Sequence, residues 1–552
     1  MPTEETMDLM TGTTAGAPPL PPPAREPERG KRAGGALSKA VSLHLEGKLE
    51  DAARMLDRAI EKGDRNPGLL SALGHIRYEM DDFASASAAY AGLVALEPEN
   101  RAASFNLGVC QGRLNEWNKA AEAFRAALDG EDGRTDALLG LGICLIHDGR
   151  AAEAATPLDK FLGLYPDNQQ ALFGKAVVLH QTGRAEEAVE HYRKLLALNP
   201  RYDDALSNLV ALYLEKQDGK STRRYAEMLA EARPESPVAD EALSSLAFAE
   251  GDYAAAARHC LHLTEVAPER FENWFNLGVA YHKMGDFQKA AEAYQRAVAA
   301  KPESSLTHLN LGVARQELGD LAGARASYEK AYQFDSGQPG AIWNLALVLE
   351  QQGERNWAEK LYAKIPRDAP EWCEACFRLG YLRLLRGDFS SSAEAFQTCL
   401  QHRPEWPEAR LNAGIAWARA GDAPRARQAF EDALALRPDS SDAVRGLAAL
   451  ALERQDYDQA FDLHRRLIEM GERAPELYYN AGLICQKRGN TGDATLYYRQ
   501  AIGEDPQFAE AFLNLGHTLM ASGQEEEALA CWRQALREKP ELAQTCLEPP
   551  AQ

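Results

Sequence analysis

Residues 271–304 read FENWFNLGVAYHKMGDFQKAAEAYQRAVAAKPES, and the spacing of apolar residues within this stretch decides the fold. Trp274, Leu277, Gly278 and Tyr281 fall at i, i+3, i+4 and i+7, which puts them on one face of a helix. Gly285 breaks that period. After Asp286 a second helical stripe begins with Ala290, Tyr294 and Ala297, and Pro302 stops it. Gly278 and Ala290 are small on the two apolar faces, so antiparallel helices approach closely and the aromatic residues fill the space around the contact. One such hairpin cannot bury both of its apolar faces, and it requires copies of itself on either side.

Counting by 34 residues in both directions finds those copies. Repeats begin at Ala33, Pro67, Arg101, Thr135, Gln169, Asp203, Pro237, Phe271, Ser305, Pro339, Cys373, Pro407, Ser441, Pro475 and Ala509, fifteen in all, running to Leu542 without an insertion. The twentieth residue is alanine in thirteen of the fifteen, Thr222 and Ser392 being the exceptions; the eighth is glycine in nine, and proline closes eleven. The pattern W-x2-L-G-x2-Y, followed by a small residue, an aromatic, a small residue and a proline, resembles the tetratricopeptide repeat (TPR). The resemblance implies an all-α fold: a right-handed superhelical solenoid of about fifteen 34-residue helix-turn-helix repeats over residues 33–542.

A chain of 552 residues would ordinarily split into several globular domains, whereas a solenoid grows along one axis with a continuous core, so one elongated domain is expected. A formal charge of −21 without a basic stripe argues against nucleic acid and for a well-solvated outer surface. No apolar run is long enough to span a membrane, and the first residues, MPTEETMDLMTGTTAG, lack the basic start and apolar core of a secretory signal. Nine scattered cysteines suit unpaired thiols, so the expected compartment is the cytoplasm.

Residues 1–32 carry seven prolines and little to bury, and read as a disordered proline-rich tail; PPLPPP within it suits either a flexible leader or a polyproline ligand. Two repeats are irregular. In 203–236 Gln217 replaces the turn glycine, Thr222 replaces the small alanine, and QDGKSTRR predicts a second helix that starts late or packs loosely. In 339–372 Pro366 is expected to cut the second helix short. Both are candidate bends or merely local defects. Residues 543–552 form a short C-terminal tail, which leaves the last apolar face, near Leu529 and Trp532, to be shared with a partner or a second copy at the solenoid end.

By the same resemblance, the second, fifth, sixth, ninth, twelfth and thirteenth residues of each repeat line a concave groove. The sixth is asparagine in eight repeats: Asn106, Asn208, Asn276, Asn310, Asn344, Asn412, Asn480 and Asn514. Large apolar residues at the fifth include Phe105, Phe173, Phe275, Trp343, Phe377 and Tyr479. A carboxamide both donates and accepts hydrogen bonds, so a row of them can hold the backbone of an extended peptide whatever its side chains. The row is similar to the asparagine ladder in the repeat domain of O-linked N-acetylglucosamine transferases, here without a catalytic domain. The bland alternative is that these asparagines bond to neighbouring helices and the apolar fifth residues are core. Members of the family that bind chaperone tails clamp a C-terminal carboxylate with lysines and arginines near the groove and asparagine at the ninth residue; here the fifth is never lysine and the ninth never asparagine, which argues against an acidic chaperone tail.

Cys373, Cys376, Cys399 and His402 read C-x2-C then C-x2-H within one hairpin, a spacing suggestive of zinc. Cys376 and Cys399 occupy packing positions, however, and buried cysteine behaves as a small hydrophobe, so no metal and no cofactor are expected. The chain has no G-x4-G-K-[ST] loop, no G-x-G-x-x-G after a strand and no H-E-x-x-H, and the repeats use nearly every residue. The expectation is a non-catalytic cytoplasmic scaffold that binds a protein or peptide partner in its groove. The alternatives are a regulatory or substrate-delivering subunit of a separate enzyme such as a glycosyltransferase, and an assembly factor working through the solenoid ends or outer face.

Overall fold

A computed structural model describes residues 35–129 and 134–543. Among them are thirty α-helices and no strand. The proline-rich tail and almost all of the C-terminal tail lie outside the described residues.

Each repeat is an antiparallel helical hairpin, and three positions explain why. The fifteenth residue takes a left-handed backbone in every repeat, reversing the chain between the helices. Glycine holds it in eleven repeats, while Asp81, Asn115, Gln217 and Gln455 adopt the same conformation at φ of 58°, 59°, 55° and 61°. The next residue is commonly aspartate. Its carboxylate accepts from a backbone N–H in the first turn of the second helix, as Asp252 does from Ala255 at 3.0 Å. The twentieth residue is 0% exposed in all fifteen repeats, Thr222 and Ser392 included, because the two helices cross there.

Above that crossing, the eighth residue faces the twenty-fourth. The Tyr294 ring lies so close to Gly278 that a Cβ there would stand 2.6 Å from it; Gly312 and Tyr328, and Gly414 and Phe430, repeat the arrangement. Tyr90, Phe124, Tyr192, Tyr294, Tyr328, Phe396, Phe430 and Tyr498 all occupy the twenty-fourth position and are among the most buried large side chains. Each such ring contributes about 1.5–3 kcal/mol.

The chain divides into two compact bodies after Ala300. The first holds eight hairpins, from Gly35–Leu45 to Phe287–Ala300; the second holds seven, from Ser305–Glu317 to Glu525–Glu538. The division falls at neither irregular repeat. Nor does the register mark it: Ala290 and Ala324, on either side, are equally buried.

The repeat at 203–236 corrects the sequence reading. Its second helix starts on schedule and runs the full Gly219–Ala232. Gln217 supplies the turn conformation, Asp218 accepts from Ser221 N–H at 3.1 Å, and Thr222 is accommodated because its hydroxyl donates to the Asp218 carbonyl at 2.9 Å. In the repeat at 339–372 the second helix does stop early, at Arg355–Tyr362, and the following first helix begins at Trp372. The shortened helix leaves an open cavity of about 540 Å³ between Tyr332, Leu345, Trp357 and Lys364.

Candidate functional site

In the second body, first helices bring several of the expected groove residues to one place. Trp343 from Pro339–Gln351, Glu374, Phe377, Arg378 and Tyr381 from Trp372–Arg386, and Asn412 from Pro407–Arg419 line a cavity of about 450 Å³, with Trp406 beside them. The helical period explains the convergence: Phe377 and Tyr381 lie one turn apart, and Trp343 and Phe377 hold the same position in successive repeats.

The rings are fixed by their surroundings. Phe377 stacks on Trp406 at 4.6 Å between centroids and meets Phe396 edge-on at 5.5 Å. The Arg403 guanidinium covers the Trp406 ring at 4.7 Å and also donates to Glu374 at 3.0 Å. Trp343 leans on Tyr362 at 5.5 Å. Arg378 donates to Glu350 at 3.2 Å, and Glu350 also accepts from the Tyr362 hydroxyl at 2.8 Å. Burial, reinforced by that carboxylate, raises the Tyr362 hydroxyl pKa, so it stays a donor. The result is an apolar pocket with one carboxamide, one carboxylate and one guanidinium around it.

The other asparagines of the row outside the first body's buried pair divide into two groups. Asn276, Asn310, Asn344 and Asn480, like Asn412, are half-buried and make no hydrogen bond to another described residue. Asn514 follows the bland alternative, donating through Nδ2 to the Tyr479 hydroxyl of the preceding repeat at 2.7 Å. Tyr479 therefore serves as a partner for Asn514, with its ring against Phe508 at 5.0 Å.

In the first body, four expected groove residues are not at an open surface. Phe105 and Phe173 are each 1% exposed, and Asn106 and Asn208 are buried too. Phe105 packs edge-on against Phe124 at 5.5 Å, and Phe173 packs against Tyr202 at 5.3 Å. The first helices Ala137–His147 and Gln169–Gln181 are buried on nearly every face, so the fifth residues here belong to the core. The Asn208 Nδ2 lies close to the buried Tyr192 hydroxyl without a hydrogen-bond partner. Phe275, by contrast, is half-buried, between Phe271 and Tyr294.

Sequence reasoning missed Trp406, which ends a repeat and so falls outside the six groove positions. Its signal was the following Pro407, which opens a helix and holds the Trp406 backbone extended at its start. Arg378 replaces asparagine in its own repeat and was passed over for that reason.

Cys373, Cys376, Cys399 and His402 do not bring three donor atoms together, and the sole described group of three or more that does lies elsewhere, at His44, His75 and Glu79. Cys399 is fully buried and donates to the Phe396 carbonyl, and His402 packs on Trp372 at 4.6 Å. Burial pushes the Cys399 thiol up to about 12 and that of Cys376 to about 11, which keeps both protonated at neutral pH. No helix among the described residues is long and apolar enough to cross a membrane.

Comparison with known proteins places the architecture. One tetratricopeptide repeat signature matches residues 71–133, 111–168, 241–305, 275–339 and 377–442, a second matches 316–379, 418–478 and 486–545, and a TPR repeat signature matches 176–217. No curated protein matches the chain. Among solved structures, the Naa15/Naa10 complex bound to HypK-THB is similar at 16% identity over 92% of this chain and 80% of that one, with a TM-score of 0.33. MamA from Desulfovibrio magneticus RS-1 is similar at 20% identity over 31% of this chain and 97% of its own, with a TM-score of 0.29. YrrB, a TPR protein with an unusual peptide-binding site, is similar at 20% identity over 40% and 96%, with a TM-score of 0.26. With repeat signatures covering most of its length at the period seen in its hairpins, the chain belongs to the tetratricopeptide repeat family.

Proposed function

We propose that the protein is a non-catalytic cytoplasmic scaffold that holds a protein partner as an extended segment along the first helices of its second body. The observation that carries this reading is the convergence of Trp343, Phe377 and Asn412 on one ring-lined cavity. A large apolar side chain of the partner enters between the rings. Its backbone is held by the Asn344 and Asn412 carboxamides, in the manner of the asparagine ladder, and Glu374 and Arg378 select the flanking polar groups. Aromatic anchors supply most of the affinity in such a site and the carboxamides supply register.

The test is a peptide-display selection against the intact chain, followed by affinity measurement on Trp343→Ala and on an Asn344→Ala, Asn412→Ala double variant. Selected peptides are expected to bind each variant at least about tenfold more weakly, with the helical circular dichroism unchanged. Peptides that bind both variants as tightly as the native chain sink the proposal.

A further inference from the structure

A second cluster of possible ligands lies in the first body. His44 lies in the last turn of Gly35–Leu45, and His75 and Glu79 lie one turn apart on Pro67–Glu79. The Glu79 carboxylate meets both imidazoles: Oε2 is 2.7 Å from His44 Nε2 and Oε1 is 3.2 Å from His75 Nε2. The two rings stand edge to face at 5.8 Å, and one donor atom from each of the three side chains lies within 4.8 Å of the others.

The repeat register shows how the set arises and why it is not a general property of the fold. His44 is the twelfth residue of the first repeat; His75 and Glu79 are the ninth and thirteenth of the second. His180 and Glu215 hold the twelfth and thirteenth positions of a later pair and stand 4.0 Å apart, but the ninth position there is Ala211, and the third donor is missing. Elsewhere along the chain the same three positions carry residues such as Tyr78, Val109 and Arg113, or Leu452, Leu483 and Lys487, which cannot form a donor set. The fifteen repeats therefore combine two histidines and a carboxylate at one pair alone.

We infer that His44, His75 and Glu79 bind a divalent first-row transition ion, zinc above all, on the first-helix face of the two N-terminal repeats. Two imidazoles and one carboxylate suit zinc, with a fourth position left to water. Donors around a tetrahedral zinc ion stand about 3.4 Å apart, so the hydrogen-bonded spacing must open by several tenths of an ångström. The half-exposed Glu79 side chain provides that freedom without disturbing either helix. Placing the ion replaces the His44–Glu79 hydrogen bond and the His75–Glu79 contact by two nitrogen–metal bonds and one oxygen–metal bond, any proton on Nε2 passing to Nδ1 or to water, and the net negative charge of the chain favours cation entry.

Cobalt is the probe, because its absorption reports its donors. Titration of the intact chain with Co²⁺ is expected to give visible bands saturating at about one equivalent, displaced by Zn²⁺ and without a thiolate charge-transfer band in the near ultraviolet. His75→Ala and the isosteric Glu79→Gln are expected to weaken binding at least about tenfold, while Cys376→Ser leaves it unchanged. The inference is overturned if the native chain gives no cobalt bands, if Glu79→Gln binds as tightly as the native chain, or if a thiolate band appears and is lost in Cys399→Ala.

Discussion

Residue volume sets the fit within each hairpin, and the eighth and twenty-fourth positions trade it. Where the eighth is glycine the twenty-fourth is large, as in Gly278 with Tyr294 and Gly516 with Trp532. Where the eighth is larger than alanine, the other is small: Val210 is paired with Ala226 and Ser244 with Cys260, all buried. Gly278→Val alone forces its side chain into the Tyr294 ring and is expected to cost about 1–3 kcal/mol. Tyr294→Ala alone leaves a cavity and costs about 3–5 kcal/mol. Together they reproduce the Val210 and Ala226 pair, so urea denaturation of the double variant should show a loss smaller than the sum, by about 0.5–3 kcal/mol. Simple additivity would mean that the positions are not coupled. His464 is the exception at the twenty-fourth position: it lies buried beside Ala448's helix, and its Nδ1–H donates to the Ala460 carbonyl at 2.8 Å. Burial lowers its pKa below 6.5, against a smaller opposing effect of that hydrogen bond. The folded site thus resists a proton that the unfolded chain accepts, so the associated stability is present above the unfolded value of 6.5 and is lost as pH falls below it. The unfolding midpoint should drop between about pH 7.5 and about pH 5.5, and by less in His464→Phe.

At the scale of helices, the sequence was most legible where one residue type has one physical use. The small residue at the twentieth position, alanine in thirteen repeats, is fully buried in every one, and Pro366 marks a helix that ends at Tyr362. Legibility failed where a conformation has several chemical solutions. Gln217 takes the left-handed turn that glycine takes elsewhere, and Thr222 satisfies its own hydroxyl, so the helix Gly219–Ala232 forms in full from a sequence that looked defective. Of the candidate groove, Trp343, Phe377 and Asn412 were readable from their repeat positions. Phe105 and Phe173 occupy the same fifth position and yet are core, because the first helices around them are buried on nearly all sides. Helical period assigns a face; it does not say what covers that face. The histidine and glutamate set was hidden for a related reason, since its members come from two repeats and each alone resembles a surface residue.

For the whole chain, the two candidate sites lie in different compact bodies: the metal set in the one ending at Ala300 and the aromatic cavity in the one beginning at Lys301. In an array of hairpins each repeat is stabilised chiefly by its neighbours, so a local defect weakens its own stretch before distant ones. Two-state unfolding is then not expected of the entire chain. The tryptophans allow a direct test. Trp117 and Trp274 lie in the first body, whereas Trp343, Trp357, Trp372, Trp406, Trp417 and Trp532 lie in the second, so emission reports mainly on the second while far-ultraviolet circular dichroism reports on all helices. Leu158 is fully buried in the first body, against Gly142. Leu158→Ala should cost its surroundings about 2–5 kcal/mol, lowering the early part of the dichroism transition while the emission midpoint moves by less than about half as much. The converse substitution, Phe430→Ala in the second body, should move both signals, because both probes see that body. Coincident shifts in emission and dichroism for Leu158→Ala would show instead that the fifteen repeats unfold as one cooperative unit.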